Sequence, residues 1–265
     1  MTRISERVTA QIALPAGIAL GFLGVPLLAV IVRAPWNSLG TLLNSPEMRT
    51  TLWLSLTTSI VAATISLLLG MPLAAVLAHA QGAWVRYARL LATMPIVLPP
   101  VVAGVALLLA FGRNGLVGQW LYSWFDLQIP FSPIAVVMAQ TFVAMPFLVL
   151  TLEGALRHAD ADLADAAATA GASRLQTLRL VTLPSVGPSV LAAVVLAWAR
   201  AFGEFGATVT FAGNFPGRTQ TLPIAVYLAL ETNPEAAIAL SLVMMLVSVT
   251  VLLGMRQHWL GASSE

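Results

Sequence analysis

Residues Thr51 to Ala78 read TLWLSLTTSIVAATISLLLGMPLAAVLA. The run holds no Asp, Glu, Lys or Arg, and it exceeds the about 20 apolar residues that carry a helix across a hydrocarbon core. In lipid every backbone N–H and C=O must be satisfied within the protein, and a lone apolar run does this as an α-helix. Five further stretches read the same way: Ile12 to Val32, Leu90 to Phe111, Phe131 to Leu152, Val186 to Phe211 and Ala236 to Met255. Only the stretch from Val186 to Phe211 contains charges, Arg200 and Glu204. The sequence therefore predicts an all-α polytopic membrane bundle of about six spans, one transmembrane domain over residues 1–265. The first run is longer than the 7–15 apolar residues of a signal peptide, so it is expected to be a retained span.

Composition agrees and removes whole classes of function. The chain has 265 residues, 58% hydrophobic and 9% charged, against about 25% charged in a soluble domain. Its mean hydropathy is +0.89. Such a surface needs a lipid bilayer around it. No cysteine is present, which excludes a disulfide framework, a thiolate metal site and a cysteine nucleophile. All 13 basic residues are arginine. A P-loop needs lysine to reach the terminal phosphates of ATP, so any ATP that drives this chain is bound by another polypeptide. The net charge of +2 comes from dispersed arginines and gives no nucleic-acid partner. Neither HExxH nor GxSxG occurs, and no predicted span contains aspartate. No catalytic residue, metal site or cofactor is assigned.

Arginine placement sets the orientation. With the N-terminus inside, Arg3, Arg7, Arg86, Arg89, Arg157, Arg174, Arg179 and Arg256 face the cytoplasm, and Arg33, Arg49, Arg113 and Arg218 face outward. Both termini are expected to be cytoplasmic.

The one long polar insertion, from Glu153 to Ser185, then also faces the cytoplasm. Asp160, Asp162 and Asp165 load the front of an alanine-rich stretch, where acidic residues suit a helix N-terminus. Ala166, Ala167 and Ala170 give that helix a face of small side chains, which lets another backbone approach. Gly171 is placed to end it in the left-handed conformation. Ser173 can cap a second short helix, in which Leu175, Leu178 and Thr182 share a face. Two readings fit: a helical loop lying on its own bundle or on headgroups, and a docking surface for a partner.

The fifth span and the loop after it read RAFGEFGATVTFAGNFPGRTQTLPIAVY, Arg200 to Tyr227. Arg200 lies about 21 Å along the span at a rise of about 1.5 Å per residue. Glu204 stands at i+4 from it, on the same face. Either the two form an ion pair that fixes helix packing, or they belong to an outer gate. Gly203, Gly206, Thr208 and Thr210 follow within the span, and Asn214, Arg218 and Thr219 lie in the outer loop. Glycines permit close approach. Hydroxyls and free N–H groups hold an oxyanion without fixing it by full charge. Pro72, Pro95, Pro99, Pro100 and Pro146 lie inside predicted spans, each removing a helical hydrogen bond. They mark either broken backbone lining a path or structural kinks.

The order Asp165-Ala166-Ala167, Gly171, Leu183-Pro184 resembles the EAA loop of ABC importer permeases. Asp165 stands where that loop carries glutamate, and Ala170 where it carries leucine. The run GEFGAT, with GN, PG and TLP after it, is similar to the molybdate and sulfate group of those permeases. So is Leu98-Pro99-Pro100 in the third span. The resemblance implies a non-enzymatic transport subunit in a bacterial or archaeal cytoplasmic (inner) membrane, importing molybdate or tungstate by alternating access. Its implied partners are ATPase subunits, an extracytoplasmic molybdate-binding protein and a second copy of the chain in a homodimer. Asp162, Asp165, Ala166, Ala167, Ala170 and Gly171 would couple to the ATPase. Arg200, Gly203, Glu204, Gly206, Thr208 and Thr210 would form a gate or path. A sulfate permease of the same family is the alternative. An ATPase-independent anion carrier or channel is a further one, but it calls for midplane charges where only Glu204 is available.

Overall fold

The structure is a computed structural model that describes residues 3–157, 166–167, 169–177, 180 and 183–260. Asp160, Asp162, Asp165, Leu178 and Thr182 lie outside the described residues. In chain order the helices are α1 (Arg3–Val32), α2 (Leu39–Leu43), α3 (Pro46–His79), α4 (Ala83–Val97), α5 (Pro100–Phe111), α6 (Gly118–Phe125) and α7 (Pro133–Arg157). They continue as α8 (Arg174–Thr177), α9 (Leu183–Ser185), α10 (Gly187–Phe202), α11 (Gly206–Ala212), α12 (Leu222–Thr232) and α13 (Pro234–Leu260). Four helices are long and apolar enough to cross a membrane, and the number rises to 6 if each of two bent pairs counts as one span.

Local chemistry fixes the long helices. The Ser45 side chain accepts from the Met48 N–H, with Pro46 in the first turn and Glu47 beside it. Each feature suits a helix start. Ser132 does the same for α7, accepting from Ala135 N–H at 3.3 Å just before Pro133. Helix α7 is the centre of the bundle and packs on α3, α4, α5, α10 and α11. It runs parallel to α3: Gly70 lies against Met145, Leu148 and Val149, and one end of the pair closes where Arg157 reaches the Leu77 carbonyl. Small residues make the approach close: Ala62 and Ala74 of α3, Ala144 of α7, and Ala193, Ala197 and Ala201 of α10 share one buried core. A Cβ on Gly70 would stand 2.9 Å from Leu148 Cδ2.

The prolines do not act alike. Helices α3, α4 and α7 run through Pro72, Pro95 and Pro146 without a break. The third span breaks at Leu98 and Pro99, and α4 and α5 meet there at a bend of 119°. The cause is the tandem. A residue before proline is pushed out of the helical region, and here two successive residues precede prolines. Leu98 (φ −66, ψ 132) and Pro99 (φ −54, ψ 134) are both extended. Pro100 then opens α5, where a missing N–H costs nothing.

The fifth span is also broken, against the single helix expected from Val186 to Phe211. Helix α10 ends at Phe202, α11 starts at Gly206, and the bend is 58°. Helix α11 lies on α5 with no room for side chains between them. A Cβ on Gly104 would meet Thr210 Cβ at 2.6 Å, and one on Gly206 would meet Pro100 Cβ at 2.8 Å. Gly104→Val should therefore overpack this contact and destabilise the protein by about 1–3 kcal/mol or more. A lowered melting temperature of the purified protein would register it, and an unchanged one would contradict the contact.

Helix α12 fills part of what the sequence reading leaves as outer loop. It is too short to span and packs against α13. Its start is held from another helix, because Ser55 Oγ of α3 accepts from the Leu222 N–H at 2.7 Å.

Candidate functional site

The break at Gly203–Phe205 gathers the charges of the fifth span. Arg200 lies in the last turn of α10, and Glu204 lies two residues before the first residue of α11. Arg200 Nη1 stands 2.7 Å from Glu204 Oε2, while Oε1 accepts from the Ala207 N–H at 2.9 Å. Each charge sits at the helix end whose dipole it complements, arginine at a C-terminus and carboxylate at an N-terminus. Glu204 thus caps one half-helix and pairs with the other. Its side chain is 1% exposed, against 30% for Arg200. The pair predicted from i, i+4 spacing is present, and the break it bridges explains why charge is placed there.

The other predicted residues divide. Gly203 is exposed and continues an open face of α10 with Leu196, Ala199 and Arg200. Gly206 is consumed by the contact with Pro100. The Thr210 hydroxyl donates to the Gly206 carbonyl at 2.8 Å. Thr208 is fully buried, and its hydroxyl finds no hydrogen-bond partner among the described residues. Gln140, in the first third of α7, is buried in the same way, with neither end of its carboxamide partnered there.

The loop after the fifth span is a built turn. Pro216 and Gly217 (φ 73) are its central residues, and Arg218 N–H donates to Phe215 O at 3.1 Å. Proline followed by a glycine at positive φ is the type II pattern. Thr219 Oγ1 accepts from Phe215 N–H at 3.0 Å, and Asn214 Oδ1 accepts from Gln220 Nε2 at 3.0 Å. Arg218 is left exposed at the tip.

In the long insertion between the fourth and fifth spans, Gly171 has φ 88. Ala170 N–H donates to Ala166 O and Ala172 N–H to Ala167 O, both at 3.0 Å. The second bond spans five residues across a left-handed glycine, the Schellman arrangement, so Gly171 ends a helical turn as its position predicts. Ser173 Oγ then accepts from Gln176 N–H at 3.4 Å, and Gln176 Oε1 accepts from Ser173 N–H at 2.8 Å. This reciprocal capping box starts α8. Ala166, Ala170 and Gly171 are exposed.

One cluster escapes a reading of the sequence. Glu153 Oε1 lies 2.7 Å from Arg89 Nη2 and 2.9 Å from Arg157 Nη2, and it accepts from Arg89 Nε at 2.9 Å. Both Nη2 atoms also donate to the Leu77 carbonyl, at 3.2 and 3.1 Å. The i, i+4 spacing of Glu153 and Arg157 is the one signal in the sequence. The contribution of Arg89 comes from 64 residues away.

The chain resembles known transport proteins along most of its length. Residues 66–261 match the family described as binding-protein-dependent transport system inner membrane component. The molybdenum transport system permease protein ModB of Mycobacterium tuberculosis is 48% identical over 241 residues, 91% of each chain. ModB of Escherichia coli is 38% identical over 172 residues, 65% of this chain and 75% of that one. The sulfate transport system permease protein CysT of Salmonella typhimurium is 30% identical over 256 residues, 94% and 92%. Among solved structures, a bacterial ABC transporter involved in import of the acidic polysaccharide alginate superposes with TM-score 0.73 at 16% identity, covering 98% of this chain and 97% of that one. The inward-facing MetNI methionine ABC transporter gives 0.63 at 17% identity, covering 80% and 96%. The tandem-proline break, the GEFGAT break and the helical bundle are thus features of a chain that belongs to the binding-protein-dependent transport system inner membrane component family.

Proposed function

We propose that this chain is the membrane-spanning permease of an ATP-driven importer that carries molybdate, or tungstate, into the cytoplasm. The observation that carries the reading is 48% identity across 91% of both chains with a molybdenum transport permease. Two copies line one path at their interface, and both termini lie in the cytoplasm, on the arginine distribution. ATPase subunits dock on the exposed small-residue turn around Ala166, Ala170 and Gly171, and they alone hydrolyse ATP. A binding protein delivers the anion outside. Alternating access then moves the path from one side to the other.

The half-exposed Arg200 and the open α10 face beside Gly203 support a path at this face. The Thr210 hydroxyl donates to the Gly206 carbonyl and Thr219 is buried in the turn after α11, so a dianion passing here meets few dedicated ligands. A path must bind weakly if the ion is to leave. Selectivity accordingly resides mainly in the binding protein. The 30% identity with a sulfate permease over 94% of the chain supports sulfate as the second reading.

The test is the reconstituted complex of permease, ATPase and binding protein. ATPase stimulation and uptake are expected with the binding protein loaded with molybdate or tungstate. Stimulation by sulfate alone would move the assignment to the second reading. Stimulation by an amino acid or a sugar alone would overturn the substrate class.

A further inference from the structure

We propose that Glu153, held between Arg89 and Arg157, is the positioning residue through which movement of the cytoplasmic insertion reaches the break in the fifth span. The proposal rests on the importer reading and assigns a role to a cluster that reading does not use. Its starting point is where the cluster sits. Leu77 belongs to the last turn of α3, Arg89 to α4, and Glu153 and Arg157 to the end of α7. The chain passes from Arg157 directly into the insertion. The root of the insertion is therefore tied to α3 and α4 by two guanidiniums that share one carboxylate oxygen and one carbonyl.

The tie is directional. An apolar contact at the same place could slide by a fraction of a turn. Charge-assisted hydrogen bonds from planar guanidiniums fix both distance and angle. Leu77 O lies near the C-terminus of α3, where carbonyls lack helical partners, and both arginines supply one. The Glu153 side chain is 7% exposed, while Arg89 and Arg157 are 35% and 46% exposed, so the carboxylate is shielded although the guanidiniums reach the surface.

From the tie, the backbone of α4 and a close helix contact lead to Glu204. Helix α4 passes through the Leu98–Pro99 bend into α5. Helix α5 meets α11 where Gly104 and Gly206 leave no space for a Cβ. The first turn of α11 is capped by Glu204, which pairs with Arg200 of α10. Contacts without free volume transmit displacement instead of absorbing it. The bent pair α4–α5 is thus fastened at one end to the insertion's root and at the other to the break. Without the Glu153 tie, α4 is held to α7 mainly by apolar packing around Val85, which can slide, and the break no longer follows the insertion.

The experiment uses Glu153→Gln in the complete complex of permease, ATPase and binding protein in lipid vesicles, with molybdate as the transported ion. Glutamine keeps the shape and one acceptor but removes the charge. The readout is anion moved per ATP hydrolysed. The complex is expected to assemble and to hydrolyse ATP within about 2-fold of wild type, while uptake per ATP falls by about tenfold or more, the loss expected when a positioning contact fails. A proportional loss of uptake and hydrolysis would mean a merely structural role and would overturn the proposal, as would unchanged coupling. If Glu153→Gln does not assemble, Arg89→Gln decides. It cuts only the link to α4 and leaves Glu153 paired with Arg157. The same fall in uptake per ATP supports the proposal, and full coupling sinks it. Wild type in the same vesicles separates the two levels: no ATP-driven uptake there counts against the importer reading, whereas coupled wild type with a coupled variant counts against the tie alone.

Discussion

Arg200→Leu is expected to destabilise the protein by about 3–5 kcal/mol, because it leaves an uncompensated charge in the interior. Glu204 is 1% exposed and cannot recover water when its partner is removed. The reverse substitution, Glu204→Leu, should be milder. Arg200 is 30% exposed and can rehydrate in part, so the main loss is the cap on α11, about 1 kcal/mol for a typical cap. The double variant should be more stable than Arg200→Leu alone, since removing both members of a buried pair is often close to neutral. Thermal unfolding of the three purified variants gives this ranking. Equal defects in all three would mean that the two residues do not act as a pair. Uptake then separates the two readings that the spacing alone leaves open. If the double variant recovers stability and uptake together, the pair only fixes helix packing. If stability returns and uptake does not, the charges at the break belong to the gate.

The spans were legible because hydropathy and length are local properties. The first run, Ile12 to Val32, lies within α1; the others overlap their helices, with the largest shift at the third, which starts at Ala83 instead of Leu90. What the sequence concealed were the places where backbone geometry departs from the apolar pattern. Pro72, Pro95, Pro99, Pro100 and Pro146 look equivalent in the sequence, yet of these only the adjacent pair Pro99–Pro100 breaks a helix, since only there do two consecutive residues precede a proline. At Gly203–Phe205 the apolar run continues on both sides, and a hydropathy window does not see that the backbone stops. The nearest signal was Glu204 itself, a carboxylate that in lipid needs both a counter-charge and N–H donors. A half-helix N-terminus supplies the donors.

Hydroxyls are hard to read from sequence for a different reason. Thr210 and Thr219 suit an anion path by residue type, but Thr210 donates to Gly206 O inside the chain, and Thr219 is buried where it accepts from the Phe215 N–H. Local side-chain-to-backbone bonds compete with any ligand for serine and threonine, and the sequence does not show which partner wins. The cluster at Glu153 was hidden for a topological reason. Arg89, Arg157 and the Leu77 carbonyl are brought together by the parallel packing of α3 and α7 and by the return of α4. Each arginine alone reads as an ordinary cytoplasmic charge. By contrast the ends of the two insertion helices were legible, because Gly171 and the Ser173–Gln176 capping box act over three to five residues and need no tertiary context.

Gly171→Val is expected to abolish assembly with the ATPase while leaving membrane insertion intact. Gly171 holds φ 88, a region that costs a β-branched residue of order 1–3 kcal/mol. The strain has an easy release, because the turn is exposed and no atom lies within 4 Å of the added Cβ. Valine would therefore leave the left-handed region instead of being forced to keep it. The bond from Ala172 N–H to Ala167 O would open, and the chain from Ala166 to Ser173 would change direction. Among the described residues nothing packs on Gly171, so the folded protein should reach the membrane in normal amount. A docking surface does depend on the direction of this turn, since misplacement by about 1 Å is enough to disable a positioned contact. Gly171→Asn is the control that isolates backbone geometry from side-chain bulk, because asparagine tolerates the left-handed region. It should retain most of the ATPase binding that valine loses. Co-purification of the ATPase with each variant, normalised to the permease in the membrane, is the measurement. Full binding by Gly171→Val would remove this turn from the docking surface. Equal loss with valine and asparagine would show that the partner needs the bare glycine surface and not the turn.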